Sequence, residues 1–153
     1  MSFWSFLTGS RRPDPVMHFA VDDTAMIEAS AKAVATLPVF WAEFDEAADT
    51  SGFLLKVAYT TPGGDREHLW LDWIKRDGER LEASLANEPQ SLPGLHARDR
   101  IAFDEGQISD WAYPCAAGYH GHYTTRAILP ALDAREAAQI EKTLAPLPTE
   151  NSV

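Results

Sequence analysis

The chain carries a single cysteine, Cys115. One thiol excludes an intramolecular disulfide, so nothing in the sequence demands an oxidising compartment, and zinc sites built from paired cysteines are excluded with it. Cys115 lies in "AYPCAAG", a turn with no helix N-terminus or cation beside it to lower a thiol pKa, and it reads as structural. Long apolar runs are missing too. The opening "MSFWSFLTGSRRPDP" holds a short apolar patch, Phe3 to Leu7, and Arg11 and Arg12 follow that patch instead of preceding it, which fits neither a signal peptide nor a membrane span. A cytoplasmic protein is the expectation. Basic residues are scarce: 13 Lys and Arg stand against 23 Asp and Glu, a formal charge of −10. Such a surface repels a phosphate backbone and an anionic bilayer, so no nucleic-acid and no membrane partner is expected, while a protein partner with a basic surface would be steered toward it. Nucleophile elbows, phosphate-cradling glycine loops and zinc-metalloprotease motifs are absent, and no cofactor or metal is implied. Oligomeric state is not legible.

What is present suits one folded unit. Within 153 residues, 45% of them hydrophobic, seven Phe, five Trp and four Tyr supply the side chains of a sizeable core. Residues 1–22 carry aromatics without periodicity and are expected to be a flexible leader arm, residues 23–146 a single domain, and residues 147–153 a loose tail. Met26, Ala29, Ala33 and Leu37 recur at helical spacing, and Pro38 marks the restart of a second helical run with an aromatic face of Phe40, Trp41 and Phe44.

After Gly52 the period drops to two. Phe53, Leu55, Val57 and Tyr59 alternate with Leu54, Lys56, Ala58 and Thr60, and "TPGGD" closes this strand. "REHLWLDWI" alternates again, predicting Leu69, Leu71 and Trp73 on one face and His68, Trp70, Asp72 and Ile74 on the other. Asp77-Gly78 signals a tight hairpin into "RLEASLAN"; "RIAF", "QISDWAY" and "HYTTRAIL" read as further strands. Asp133 with Glu136 opens a last helix that Ala137, Ile140 and Leu144 carry toward Pro146. Helices at the ends and strands between them predict an α+β fold: a strongly curved, partly barrel-like antiparallel sheet of about six strands with an N-terminal helical segment and a C-terminal helix.

The polar residues that could form a site lie on those strands. His120 and His122 are spaced to share a strand face, and the strand reading adds Thr124 and Arg126 to that face. Asp110 alternates with Trp111, so Trp111 is expected in the core while Asp110 meets solvent or pairs with Arg126 or Arg100. Glu67 and His68 are adjacent and point to opposite faces, leaving His68 to join groups from another strand beside Trp70. Glu88 ends a strand in "NEP". The candidate binding residues are therefore His68, Trp70, Glu88, Asp110, His122 and Arg126, with no catalytic set complete.

The runs "LPVFW", "EHLWLDWIKRDGERLEASLANEP", "ISDWAY" and "HGHYTTRAIL" together resemble the YegJ-like bacterial domains, a group of small proteins of unknown function. The resemblance covers roughly Met26 to Leu129 and implies a fold unit without implying a mechanism. On the residues themselves, the expectation is a non-catalytic protein- or ligand-binding module; the alternative is a small hydrolase or metal-dependent enzyme that gathers His68, Glu88, Asp110 and His122.

Overall fold

Helical spacing places Ala29 and Ala33 on one side of α1 (Asp23–Ala35), and that side is buried together with Leu37 at the start of α2 (Leu37–Glu46). The structure, a computed structural model, describes residues 23–147, so the expected leader arm and all of the expected tail but Leu147 lie outside the described residues. Pro38 sits in the first turn of α2, where a missing N–H breaks no helical bond. The aromatic face of α2 enters the core: the Phe40 ring is fully buried, 5.5 Å from Phe53 and 6.0 Å from Trp111.

Six strands follow in one antiparallel sheet: β1 (Leu54–Thr60), β2 (Arg66–Asp77), β3 (Arg80–Leu85), β4 (Arg100–Phe103), β5 (Ile108–Cys115) and β6 (Gly118–Gly121). Their order is β4-β3-β2-β1-β5-β6, so β1 and β5 are central neighbours that come from distant parts of the chain. The sheet stays open, with β4 and β6 as its edges, and the expected partly barrel-like form is not seen, because the two edge strands do not pair. One face carries the large core of Leu55, Val57, Leu69, Leu71, Trp111 and Tyr113 under the helices. The other bears a smaller cluster of Leu54, Trp70 and Ala112. As expected, Trp111 is in the core, fully buried, with its indole N–H donating to the Ala33 carbonyl at 2.9 Å. Within β5, Ala112–Cys115 pair with β6, and α1 packs on β5 as well.

Two expectations fail, each for a local reason. Alternation along β2 holds as far as Asp72, where a bulge between Asp72 and Lys75 resets the phase; Ile74 then enters the core and Trp73, at φ 49°, turns outward with 62% of its surface exposed. The segment "HYTTRAIL" is not a strand. Gly121 (φ 85°) and His122 (φ 54°) are both left-handed and turn the chain off β6 into the short helix α3 (Tyr123–Ile128). The two threonines favour extended backbone, but the first-turn N–H groups of Tyr123 and Thr124 donate to the Asp110 carboxylate, and that tertiary cap outweighs propensity. The shared polar face of His122, Thr124 and Arg126 is therefore lost. The chain finishes in α4 (Ala134–Glu141), capped as expected by Asp133, whose side chain accepts the Glu136 N–H. Leu144 lies beyond that helix, in an isolated bridge to Tyr119.

Candidate functional site

Lys56 stands at the middle of β1, opposite Asp110 on β5 and Trp70 on β2. Its ammonium donates to the Thr124 hydroxyl at 3.0 Å, and that hydroxyl donates to Asp110 Oδ2 at 2.6 Å. Asp110 also accepts the backbone N–H groups of Trp111, Tyr123 and Thr124, at 2.8, 3.0 and 2.8 Å. Burial pushes its carboxyl up from the ordinary value, while the Lys56 charge and these bonds pull it down. Since every polar neighbour donates, the ionised form is the one this site accommodates. Lys56 as a whole is half-buried, yet burial of its ammonium pushes its pKa below the ordinary lysine value, with the Asp110 charge opposing. The Trp70 ring lies beside it, 5.7 Å from the ammonium to the ring centroid.

Around this pair opens a cleft of about 820 Å³. Lys56, Ala58 and Thr60 of β1 with Arg66 and His68 of β2 form its floor, and Met26, Ile27, Ala31 and Val34 of α1 form an apolar wall. The register skips from Asp110 to Ile108 against Lys56 and Val57, which makes Ser109 the extra residue of a bulge. Bulges re-aim side chains. Here the Ser109 hydroxyl lies 3.1 Å from His68 Nδ1 at the cleft side. The His68 pKa is lowered by partial burial and then by the Lys56 and Arg66 charges.

Of the residues singled out from sequence, His68, Trp70, Asp110 and His122 lie about Lys56, though not as one polar surface. Asp110 does not meet solvent or pair with Arg126 or Arg100; it is fully buried with Lys56 as its cation. The Arg126 guanidinium instead donates to the carbonyls of Gly121, Tyr119 and Ala145. Arg100 donates to the Trp73 carbonyl and the Ser84 hydroxyl. His122 is fully buried, 4.8 Å from the Trp70 ring, with Nδ1 3.1 Å from the Thr125 hydroxyl; burial, then the Arg126 and Lys56 charges, lowers its pKa to about 3. Glu88 is elsewhere, exposed and 2.8 Å from His96 Nδ1. Among the described residues no three His, Cys, Asp or Glu side chains are placed to hold a metal ion. The central residue, Lys56, was not among the candidates. Its signal was a lone cation at the midpoint of "LLKVAY", a strand otherwise apolar enough to be central.

The fold and the cleft define an α+β domain with a six-stranded antiparallel sheet. The chain matches, over residues 23–145, the family described as "Uncharacterized protein conserved in bacteria (DUF2314)", and it belongs to that family. It is also similar to a protein of Neisseria meningitidis serogroup B described provisionally as an ankyrin repeat protein, at 31% identity over 78 residues, which is 49% of this chain and 31% of the relative. The chain therefore spans about a third of the length of the curated relative it matches. No solved structure matches it. No helix among the described residues is long and apolar enough to cross a membrane.

Proposed function

We propose that the domain is a non-catalytic ligand-binding module and that its site is the cleft between α1 and the β1–β2 floor. One observation carries this reading. A volume of about 820 Å³ is walled by apolar side chains that the described residues leave uncovered, Ile27 at 69% and Val34 at 51% exposure, and floored by a few polar groups. Small-molecule sites combine those two elements in volumes of roughly 300–1,000 Å³. The test is a fragment screen by protein NMR on the full chain and on Ala58→Trp, which fills the floor. Fragments that perturb the amides of Val34, Lys56 and His68 in the parent should lose those effects in a variant that melts normally. Hits unchanged by Ala58→Trp would overturn the reading.

A second reading, a small hydrolase, is favoured by the 3.1 Å approach of Ser109 Oγ to His68 Nδ1 at the cleft side. In it Ser109 Oγ attacks the acyl carbon of an ester while His68 takes the hydroxyl proton, the ester C–O bond breaks and the alcohol leaves with that proton, and water then releases the acid from the acyl-serine. Burst release from an activated ester, abolished by Ser109→Ala, would support it; no burst refutes it. We also propose, on the charge of −10, a basic protein partner and a cytoplasmic location, and, on the motifs quoted above, a place near the YegJ-like domains. Co-purification from a native lysate at low and high salt tests the partner, since capture that ignores salt would contradict an electrostatic contact.

A further inference from the structure

We propose that the cleft takes an anionic amphiphile, a small molecule with one carboxylate head and an aliphatic body; this rests on the reading of the cleft as a ligand site. The chain has 23 Asp and Glu, yet among the described residues none lines the cleft, while Lys56, Arg66 and His68 do. A strongly acidic protein has thus kept carboxylates out of one concavity and placed cations there. Neither Lys56 nor Arg66 is in a salt bridge among the described residues. Asp110 balances Lys56 from behind, but its two oxygens are committed to Trp111, Tyr123 and Thr124 and do not reach into the cleft as a competing anion. With His68 neutral, the Lys56 and Arg66 charges exceed that of Asp110 by one. That excess suits a monoanion better than a phosphate dianion. Along that floor Ser109 lies beside Lys56 and Thr60 pairs with Arg66 four residues further along β1, and Ser109 and Thr60 each carry a hydroxyl.

The body of the ligand follows from the opposite wall. Ile27 and Val34 are two turns apart on α1, so with Met26 and Ala31 they present about 10 Å of apolar surface alongside the charged floor. Acetate cannot use that wall, and an aliphatic alcohol cannot use the floor. A medium-chain carboxylate uses both.

NMR titration of the full chain at constant ionic strength with decanoate, acetate, decanol, decylamine and decyl phosphate separates the alternatives. Decanoate should shift the amides of Ile27, Val34, Lys56 and His68, raise the His68 pKa because an added anion favours imidazolium, and bind at least about ten-fold more tightly than acetate, decanol or decylamine. Lys56→Met should weaken decanoate about ten-fold or more and Arg66→Gln about three-fold. Arg66 is exposed and keeps the test sound if Lys56→Met disturbs Asp110. Decanol or decylamine binding at the same residues as tightly as decanoate would overturn the ligand class while leaving the cleft reading intact. Tighter binding of decyl phosphate would overturn the carboxylate head, and silence at those residues toward every probe would overturn the whole inference. So would cross-relaxation between Phe3, Trp4 or Phe6 and Val34 in the ligand-free chain, because the chain would then fill its own cleft. The Ala58→Trp screen decides the cleft reading separately.

Discussion

Replacing Asp110 by Asn keeps the shape of the side chain and removes its charge. The carboxylate accepts two donors at each oxygen, Trp111 and Tyr123 N–H at Oδ1, and the Thr124 N–H and hydroxyl at Oδ2. An amide must point its NH₂ at one of these pairs. The less costly choice faces Thr124, whose hydroxyl can rotate to accept, but the Thr124 N–H then loses its acceptor at the start of α3, a loss of about 1–3 kcal/mol. Lys56 is left beside a neutral group, and stranding one member of a buried pair raises the total to about 3–5 kcal/mol. At a urea m-value of about 2 kcal/mol/M, a loss of about 4 kcal/mol lowers the unfolding midpoint by about 2 M. The second arm adds Lys56→Met to Asp110→Asn. With the stranded ammonium gone, the double variant should recover at least about 1 kcal/mol relative to additivity. A midpoint shift below about 0.5 M for Asp110→Asn, or strict additivity in the double variant, would refute the account of this pair.

Acid should unfold the protein in part through His122. The unfolded chain takes up this proton near the ordinary value of 6.5 and the folded chain resists it to about 3, so stability present at neutral pH is lost progressively as pH falls through that window. Urea midpoints measured from pH 7 to pH 4 should show a shallower slope in His122→Asn, a residue that tolerates the left-handed backbone; equal slopes would discount the effect. Gly121→Ala should lower the melting temperature sharply, since a Cβ at φ 85° would stand 2.2 Å from the Trp111 carbonyl oxygen, and a parental melt would contradict the close approach. Trp111→Ala should cost about 3–5 kcal/mol by chemical denaturation, and a cost under about 1 kcal/mol would place the ring outside the core.

Much of the α+β architecture was legible because its signals are local. Alternation from Phe53 to Thr60, the turn at "TPGGD", the Asp77-Gly78 hairpin and the Asp133 cap each depend on residues a few positions apart. The failures depend on partners far along the chain. Thr124 and Thr125 read as strand because Asp110, which caps the first turn of their helix at Tyr123 and Thr124, arrives from β5, and Asp110 read as a surface residue for the same reason. The Trp73 outcome required a bulge that alternation does not announce. At the site, Lys56 is significant only once β1 is set beside β5, and that pairing joins segments separated by β2, β3 and β4.

That adjacency has a consequence for what occupancy would report. A chain ending at Phe103 keeps the β1–β4 meander with Lys56, Arg66 and His68, but it lacks Ser109, Asp110 and Thr124. The first two thirds of the polypeptide thus hold the cations without the groups that balance and frame them. A molecule seated in the cleft would bridge the seam where the late-synthesised β5 meets the early hairpin, and it would act as a clamp on topology more than as a prop for any one element. By mass action a ligand at a hundred times its Kd would add about 2.7 kcal/mol to the folded state. Its uptake during refolding would serve as a signal that the last central strand had docked.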